Sequence, residues 1–344
     1  MKSIHLVIPD LFLPRDIAAE ICAGLRLPAL EKLLARGHTE LLPALPLENL
    51  LCEMFGAACA EDAPVAPISA AFDGLAAGYW LRADPVHLSL QRDRLMLAGV
   101  QTSSEEAAQF CASLNKHFAG QGMEFFAPHP QRWYVRLDAL PRIRTTPLSE
   151  VLGCNVRGAL PTGVDAPYWH QLFNEIQMLL FAHPLNQTRE ASGELPVNSV
   201  WLWGAGGPAD ALQKADEHLL SGHPYDSASS DHQLVEMFAA AAKVPFAGWP
   251  ARWRDEPGDG RQLLVWTGLR TALQRGDLAS WRAALQDFET GYALPIWQAL
   301  RAGRIVQLQL DIPGADGIRR MHLRRSAAWA VWRRGRSLAE YSGA

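Results

Sequence analysis

The chain has 344 residues, a formal net charge of −4, and hydrophobic and charged shares of 49% and 20%, the profile of a globular chain long enough for one large or two smaller domains. The charge balance argues against nucleic acid as the main partner, and no apolar run approaches the length of a membrane-spanning helix. Five cysteines (Cys22, Cys52, Cys59, Cys111, Cys154) are an odd number without a CxxC pair, which suits buried thiols in a reducing cytoplasm better than disulfides or zinc.

In chain order, Ile4–Pro9 is a short apolar run closed by Asp10, the pattern of a buried strand in an α/β sheet rather than of a signal peptide. Pro28–Arg36 reads as a helix that starts at Pro28 and is stopped by Gly37. Leu47–Ala60 reads as a second helix, and the Ala- and Pro-rich stretch Ala60–Ala71 as a boundary. Tyr79–Gly99 alternates apolar with charged residues on either side of a turn and predicts a hairpin. Ser103–Phe118 is a helix with a capping box formed by Ser103 and Glu106. Trp133–Leu137 is a strand, Pro141–Pro147 a loop, and Trp169–Phe181 a helix. The run Leu195–Gly207 reads as an apolar strand ending in a Gly-rich turn, the place where open α/β sheets carry ligand-binding loops. A loop is expected over Ser221–Ser230 and a helix over Asp231–Lys243. Leu263–Thr267 is a third buried strand. The longest helix begins at Leu278, is interrupted by Pro295 and ends at Gly303. Ile305–Ile312 and Met321–Trp332 are expected as closing strands. The basic segment Arg319–Arg336 reads as a twisted strand with one solvated face.

Several residues are candidates for chemistry. Asp10 could serve a metal or a phosphate-handling loop, or be an ordinary turn residue. Asp84, His87 and Asp93, with Arg82 nearby, could form an acid–His–acid cluster suited to acid–base work or one metal; equally, Asp84–Pro85 could start a turn and His87 and Asp93 be surface residues. The Gly204–Gly207 turn could approach an anion but lacks the Lys of a P-loop. No GxSxG sequence is present. His218, His223, Asp231 and His232 read as solvent-facing loop residues, because nothing nearby completes a tetrahedral ligand set.

The stretch AHPLNQTREASGELPVNSVWLWGAGG resembles a run of archaeal-type cofactor-independent phosphoglycerate mutases, through His183, Pro184, Asn186, Arg189, Gly193, Pro196, Asn198, Gly204 and Gly206. The first strand ending in Asp10, followed by LPALEKLLARGHTELL, is similar to the start of that superfamily. The whole chain looks like the bacterial RpfE-type regulatory proteins. This resemblance implies an α/β fold with an alkaline-phosphatase-like core sheet and flanking helices, formed by residues 1–72 and 191–344. An α+β insertion of substrate-covering type, residues 73–190, interrupts it.

Enzymes of that superfamily use two metal ions and a Ser or Thr nucleophile, and Asp10 matches the first metal-binding Asp. Departures are extensive. Leu41–Leu51 has no Ser, Thr or Cys, with Thr39 the nearest hydroxyl. The metal run corresponds to Gly276–Trp281, with Asp277 but no His, and Asp311 is not followed by His, leaving His322 displaced. The expectation is a phosphoglycerate-mutase-like cytoplasmic protein without most of the two-metal apparatus, non-catalytic, regulatory or ligand-binding. Arg82, Asp84, His87, Asp93, Arg132, Asn198, Gly204 and Gly206 are the ligand-binding candidates. No cofactor is expected; manganese or zinc enters only if the chain is instead an active mutase or phosphohydrolase with a rearranged site. A third reading is a protein-interaction module that uses some of the twelve tryptophans as anchors. Partners are a small anionic ligand or a protein, not nucleic acid or membrane; the oligomeric state is open.

Overall fold

The computed structural model describes residues 2–57, 62–208, 225–255, 258–330, 332–333 and 335–342. Two compact units are present: Met1–Leu47 with Gly222–Ala344, and Glu48–Ser221. Divisions at 72/73 and 190/191 would both fall inside the second unit. His218, His223 and Cys59 lie outside the described residues.

The first unit opens with β1 (Lys2–Val7) and β2 (His38–Leu42). The second unit then supplies β3 (Tyr79–Gln91), β4 (Arg94–Gly99), β5 (Met123–His129), β6 (Arg132–Leu137), β7 (Ile143–Arg144), β8 (Thr162–Gly163) and β9 (Ser199–Gly206). The chain returns with β10 (Ser227–Ser230), β11 (Phe246–Gly248), β12 (Gly260–Val265), β13 (Gln307–Gly314) and β14 (Gly317–Arg324).

The first unit is a seven-stranded sheet in the order β11-β10-β12-β1-β13-β14-β2. The five strands from β11 to β13 are parallel, and β14 and β2 add antiparallel pairs at one edge. One sheet face carries Ile4, Leu6, Leu308 and Leu310 into a core shared with Leu30, Leu33 and Leu34 of helix Pro28–Arg36 and with Trp281, Leu285 and Phe288 of helix Leu278–Phe288. The other face carries a buried polar chain. Tyr225 donates its hydroxyl to His5 Nδ1 (2.6 Å), His5 Nε2–H donates to Asp311 (2.9 Å), and Arg320 donates twice to the same carboxylate (2.9 and 2.8 Å). Burial alone would raise the Asp311 carboxyl; the hydrogen bonds from His5 and Arg320 outweigh it and hold the group down at about 2.

Pro295 does not break the long helix. It lies in the first turn of Leu294–Ala302, which is joined to Leu278–Phe288 through a π-helical turn over Glu289–Ala293. Gly303 then caps the helix in the left-handed region (φ 77°), where glycine has no Cβ penalty. The π turn directs buried Glu289 at the start of helix Pro28–Arg36, where its oxygens accept from Ala29 N (2.7 Å) and Leu30 N (2.9 Å). Leu27, the residue before that helix, has no side-chain oxygen to do this.

The second unit is built on β3, which pairs with β4, β6 and β9, while β5 extends the sheet beyond β6. Leu81, Ala83, Trp133, Val135, Val200 and Leu202 face helices Ser104–His117 and Ala166–Phe181. Trp80 and Tyr134 face the other way, against Ala66 and Ala70 of helix Val65–Phe72. The expected capping box is present: Ser103 Oγ accepts from Glu106 N (3.1 Å) and Glu106 Oε2 from Ser103 N (2.7 Å).

Four local expectations are corrected. Residues expected as a boundary contain helix Val65–Phe72, whose face from Val65 to Ala70 is buried. The expected loop before Asp231 contains β10, a strand too polar and short to show periodicity, recruited by pairing with β11 and β12. The expected loop Pro141–Pro147 contains β7, paired with β8. The basic strand expected to reach Trp332 ends at Arg324, because Arg325–Trp329 turns into a 3-10 helix that buries Ala328.

Replacing Glu289 by Ala strands two buried backbone N–H groups and is expected to lower unfolding stability by about 2–3 kcal/mol, with Gln recovering part of it. Urea unfolding of the purified variants checks this, and a loss within about 0.5 kcal/mol would show that the cap carries no weight.

Candidate functional site

In a parallel sheet the loops leaving the C-terminal strand ends are where side chains converge. Beyond β1, Asp10 is held at a positive φ of 61°, unusual for a residue other than glycine. Its N–H donates to Pro313 O (3.3 Å), its carbonyl accepts from Trp281 Nε1 (3.4 Å), and its Oδ2 accepts from Arg270 Nε (2.8 Å). Arg270 comes from helix Gly268–Gln274, which follows β12. Beyond β10, Asp231 Oδ1 accepts from Thr267 N (2.7 Å) and Thr267 Oγ1 (3.1 Å). His232 Nδ1 accepts from Leu234 N (3.3 Å) and caps helix Gln233–Ala241, which leaves the ring proton on Nε2. Burial, and then the charge of Arg270, push the His232 ring down to about 4, so it is neutral near pH 7.

These polar groups abut an aromatic block. Trp249 stacks on Tyr292 (4.4 Å between centroids), Tyr292 on Phe288 (5.4 Å), and Phe288 on Trp266 (4.5 Å). The Tyr292 hydroxyl is buried without a hydrogen-bond partner among the described residues, and burial together with the Asp231 charge pushes it up to about 12.

This donor set does not fit a pair of divalent cations. Among the described residues no group of three or more His, Cys, Asp and Glu side chains is placed to hold a metal ion. Asp10 already faces a guanidinium cation, Asp231 binds Thr267, and the acceptor nitrogen of His232 caps its own helix. Asp277 caps helix Leu278–Phe288 through Ser280 N (3.0 Å), and Asp311 is saturated by His5 and Arg320 inside the sheet. Thr39 and His322 lie within β2 and β14, paired opposite Met321 and His38.

The eight ligand-binding candidates all lie in the second unit. Arg82 and Asp84 are buried together: Arg82 Nε and Nη2 donate to Asp84 Oδ1 (3.1 and 2.5 Å), and Trp203 Nε1 donates to Oδ2 (2.7 Å). The Arg82 guanidinium sits over the rings of Tyr134 (5.2 Å) and Trp203 (5.3 Å). Burial raises the Asp84 carboxyl despite Arg82. Arg132 is clamped on Asp73 (2.9 and 2.7 Å), which also accepts from the Tyr134 hydroxyl (2.6 Å). Burial would raise Asp73, but these bonds outweigh it and hold the carboxyl below its usual range. Asp73 and Tyr134 were missed in the sequence, where nothing local marks them as partners of Arg132.

The structure does not assemble Asp84, His87 and Asp93. Positions 84 and 87 are an odd number of residues apart on one strand and so face opposite ways. Asp93 is exposed at the turn between β3 and β4, about 25 Å along the strand from Asp84. His87 Nδ1 meets Pro196 O (3.0 Å).

The remaining matched positions act on backbone. Asn198 accepts from Leu88 N (2.7 Å) and donates to Leu88 O (2.8 Å). Asn186 accepts from Val197 N (2.9 Å) and donates to Val197 O (3.0 Å) and Leu180 O (2.7 Å). Arg189 donates to Leu195 O, Gln101 O and Glu106 Oε1 (2.9, 2.7 and 2.7 Å). His183 caps helix Pro184–Ala191 through Leu185 N and donates from Nε2 to Ser113 Oγ (2.9 Å), so it cannot accept that hydroxyl's proton. Gly204 donates its N–H to Thr145 Oγ1 (3.0 Å), and a Cβ on Gly206 would meet Pro67 at 2.6 Å.

No protein-family profile matches the sequence. Two relatives described as 2,3-bisphosphoglycerate-independent phosphoglycerate mutases are similar in part. The protein of Methanothrix thermoacetophila is 31% identical over 118 residues, 33% of this chain and 29% of the relative. That of Methanosarcina acetivorans is 25% identical over 202 residues, 54% of this chain and 50% of the relative. The chain thus spans half or less of the length of these relatives. The structure of the PH0037 protein from Pyrococcus horikoshii matches 93% of this chain and 87% of its own, at 15% identity and a TM-score of 0.50. The fold is the expected α/β one, shared with that structure: a central sheet with flanking helices, whose chain is interrupted by an α+β unit.

The His232 ring has its pKa lowered in the folded protein, so its contribution to stability is full above about 6.5 and is lost as pH falls through about 4. Imidazole NMR is expected to show a midpoint near 4 with the proton on Nε2. His232→Asn, which retains a capping acceptor, is expected to lose less stability than the parent on acidification over that window. A midpoint near 6.5 would show that the ring is not held as described.

Proposed function

We propose that this chain is a phosphoglycerate-mutase-like protein of the RpfE regulatory type. It retains its relatives' fold, carries out no two-metal phosphoryl chemistry, and binds a small anionic ligand or a protein partner. The carrying observation is the Arg270 guanidinium on Asp10 (2.8 Å). A two-metal mechanism needs that carboxylate for a divalent cation, which neutralises phosphate and generates the nucleophile. A guanidinium balances the charge but cannot lower a hydroxyl's pKa by coordination. Supporting this reading, the other matched acids are committed to caps or to Arg320, and a Trp–Tyr–Phe–Trp block abuts the strand ends.

Under this reading, protein incubated with manganese or zinc and freed of excess metal retains far less than one ion per chain by mass-spectrometric metal analysis. It shows no phosphoglycerate mutase activity with either ion. Two tightly held ions per chain, lost in Asp10→Ala, would overturn the proposal and support an active enzyme with rearranged ligands.

A further inference from the structure

Between Asp316 and Glu340 the sequence has seven arginines, Trp329 and Trp332, and not one Asp or Glu. Most buried or half-buried arginines in this protein are spent on a carboxylate: Arg82 on Asp84, Arg132 on Asp73, Arg189 on Glu106, Arg320 on Asp311. Arg333 and Arg336 differ. Both are exposed, and neither forms an ion pair with a described residue.

They line a concavity of about 490 Å³ in the first unit, together with Leu34, Gly37, Thr39, Trp332 and Tyr341. The wall is anchored. Arg333 Nη1 donates to Gly37 O (3.3 Å) at the end of helix Pro28–Arg36, and Arg36 Nη1 donates to Ala328 O (2.6 Å). Gly335 lies so close to that helix that a Cβ would meet Glu31 Cβ at 3.3 Å. Tyr341 is fixed from behind by stacking on Phe12 (6.4 Å). The nearby Glu340 carboxylate accepts from Ser337 N (3.1 Å) and Ser337 Oγ (3.0 Å), and so caps the last helix instead of bridging the arginines. Trp332 is 77% exposed and has no aromatic or cationic partner among the described residues, an unusual cost for the largest apolar side chain.

We propose that this concavity is a binding site for a mononucleotide-like ligand, a planar heteroaromatic ring carrying phosphate. Two guanidiniums without carboxylate partners among the described residues suit phosphate oxygens, which arginine binds in paired hydrogen bonds. The exposed Trp332 indole suits a ring, since stacking on Trp recognises any flat base. The volume exceeds that of a bare phosphate and lies in the range of small-ligand pockets, roughly 300–1,000 Å³. A concavity of this size, in a chain of net charge −4, favours one nucleotide over a polymer. The site shares no residue with the Asp10–Arg270 end of the sheet, so this reading and the proposed function fail separately.

The test is calorimetric titration of the full chain with ADP, adenosine and inorganic pyrophosphate, on the parent, Trp332→Ala and Arg336→Ala, with circular dichroism to confirm folding. The parent is expected to bind ADP saturably and more tightly than either fragment. Trp332→Ala should weaken ADP about tenfold and leave pyrophosphate nearly unchanged; Arg336→Ala should weaken both about tenfold. Absence of saturable binding up to millimolar ADP, or equal ADP affinity in all three proteins, would overturn the proposal. Sedimentation with phosphatidylserine vesicles that ADP does not displace, without ADP binding in solution, would replace it with a membrane-facing surface.

Discussion

A carboxylate at the C-terminal end of a central strand has to be balanced by a positive charge, and in this protein the balance is struck by Arg270. Asp10 cannot relax away from the demand. Its backbone is fixed in a left-handed conformation and tied to Pro313 and Trp281, so the side chain stays where the strands end. The pair is worth little as stability, because Asp10 is 31% and Arg270 17% exposed and such bridges contribute at most about 1 kcal/mol. Its consequence is electrostatic: the guanidinium neutralises the Asp10 carboxylate where the strands end. The charge of Arg270 also helps to keep His232 neutral, which suits a ring whose Nδ1 is a helix-capping acceptor.

The same logic separates fold from chemistry along the matched stretch His183–Gly206. Asn186 and Asn198 each present an amide to one residue's N–H and C=O, Val197 and Leu88, and so imitate a neighbouring strand where the chain approaches β9. Arg189 closes three further acceptors, two of them backbone carbonyls. Side chains that satisfy buried backbone groups are costly to change whatever the protein does. A resemblance carried by such positions therefore reports architecture and not chemistry.

How much was legible in the sequence follows from the range of each interaction. Ser103 with Glu106, Pro28 with Gly37, Gly303, and the alternation across Tyr79–Gly99 are local signals, and the elements they mark are present close to the expected bounds. The elements missed are those defined by partners far away. β10 (SASS) and β2 (HTELL) have no periodic apolar face and exist through pairing with strands distant in sequence. The candidate site behaves alike. Arg82 with Asp84 is two residues apart on one strand face and could be anticipated. Asp10 with Arg270 spans 260 positions, and Arg132 with Asp73 spans 59, with no local pattern to announce either. The acid–His–acid reading failed on parity: a strand separates positions 84 and 87 onto opposite faces.

Charge is placed unevenly along this chain. A net charge of −4 conceals a segment of seven arginines without an acid. Within that segment Arg319 and Arg320 are drawn into the structure, one onto the carbonyl of Tyr341 and over Phe12, the other onto Asp311. Arg325 lies against Gly303 at the end of helix Leu294–Ala302, where carbonyls favour a cation. Arg333 uses one nitrogen on the end of helix Pro28–Arg36 and keeps the rest of its fork outward. Among the described residues, Arg319 and Arg320 are thus held by the sheet and its neighbours, whereas Arg333 forms no ion pair. Trp332 lies beside Arg333 in the sequence. A flexible surface would gain nothing from pinning this segment through Gly335, Arg36 and Ser337, because holding residues in place costs conformational entropy. That ordering becomes intelligible when the held groups meet something outside the chain.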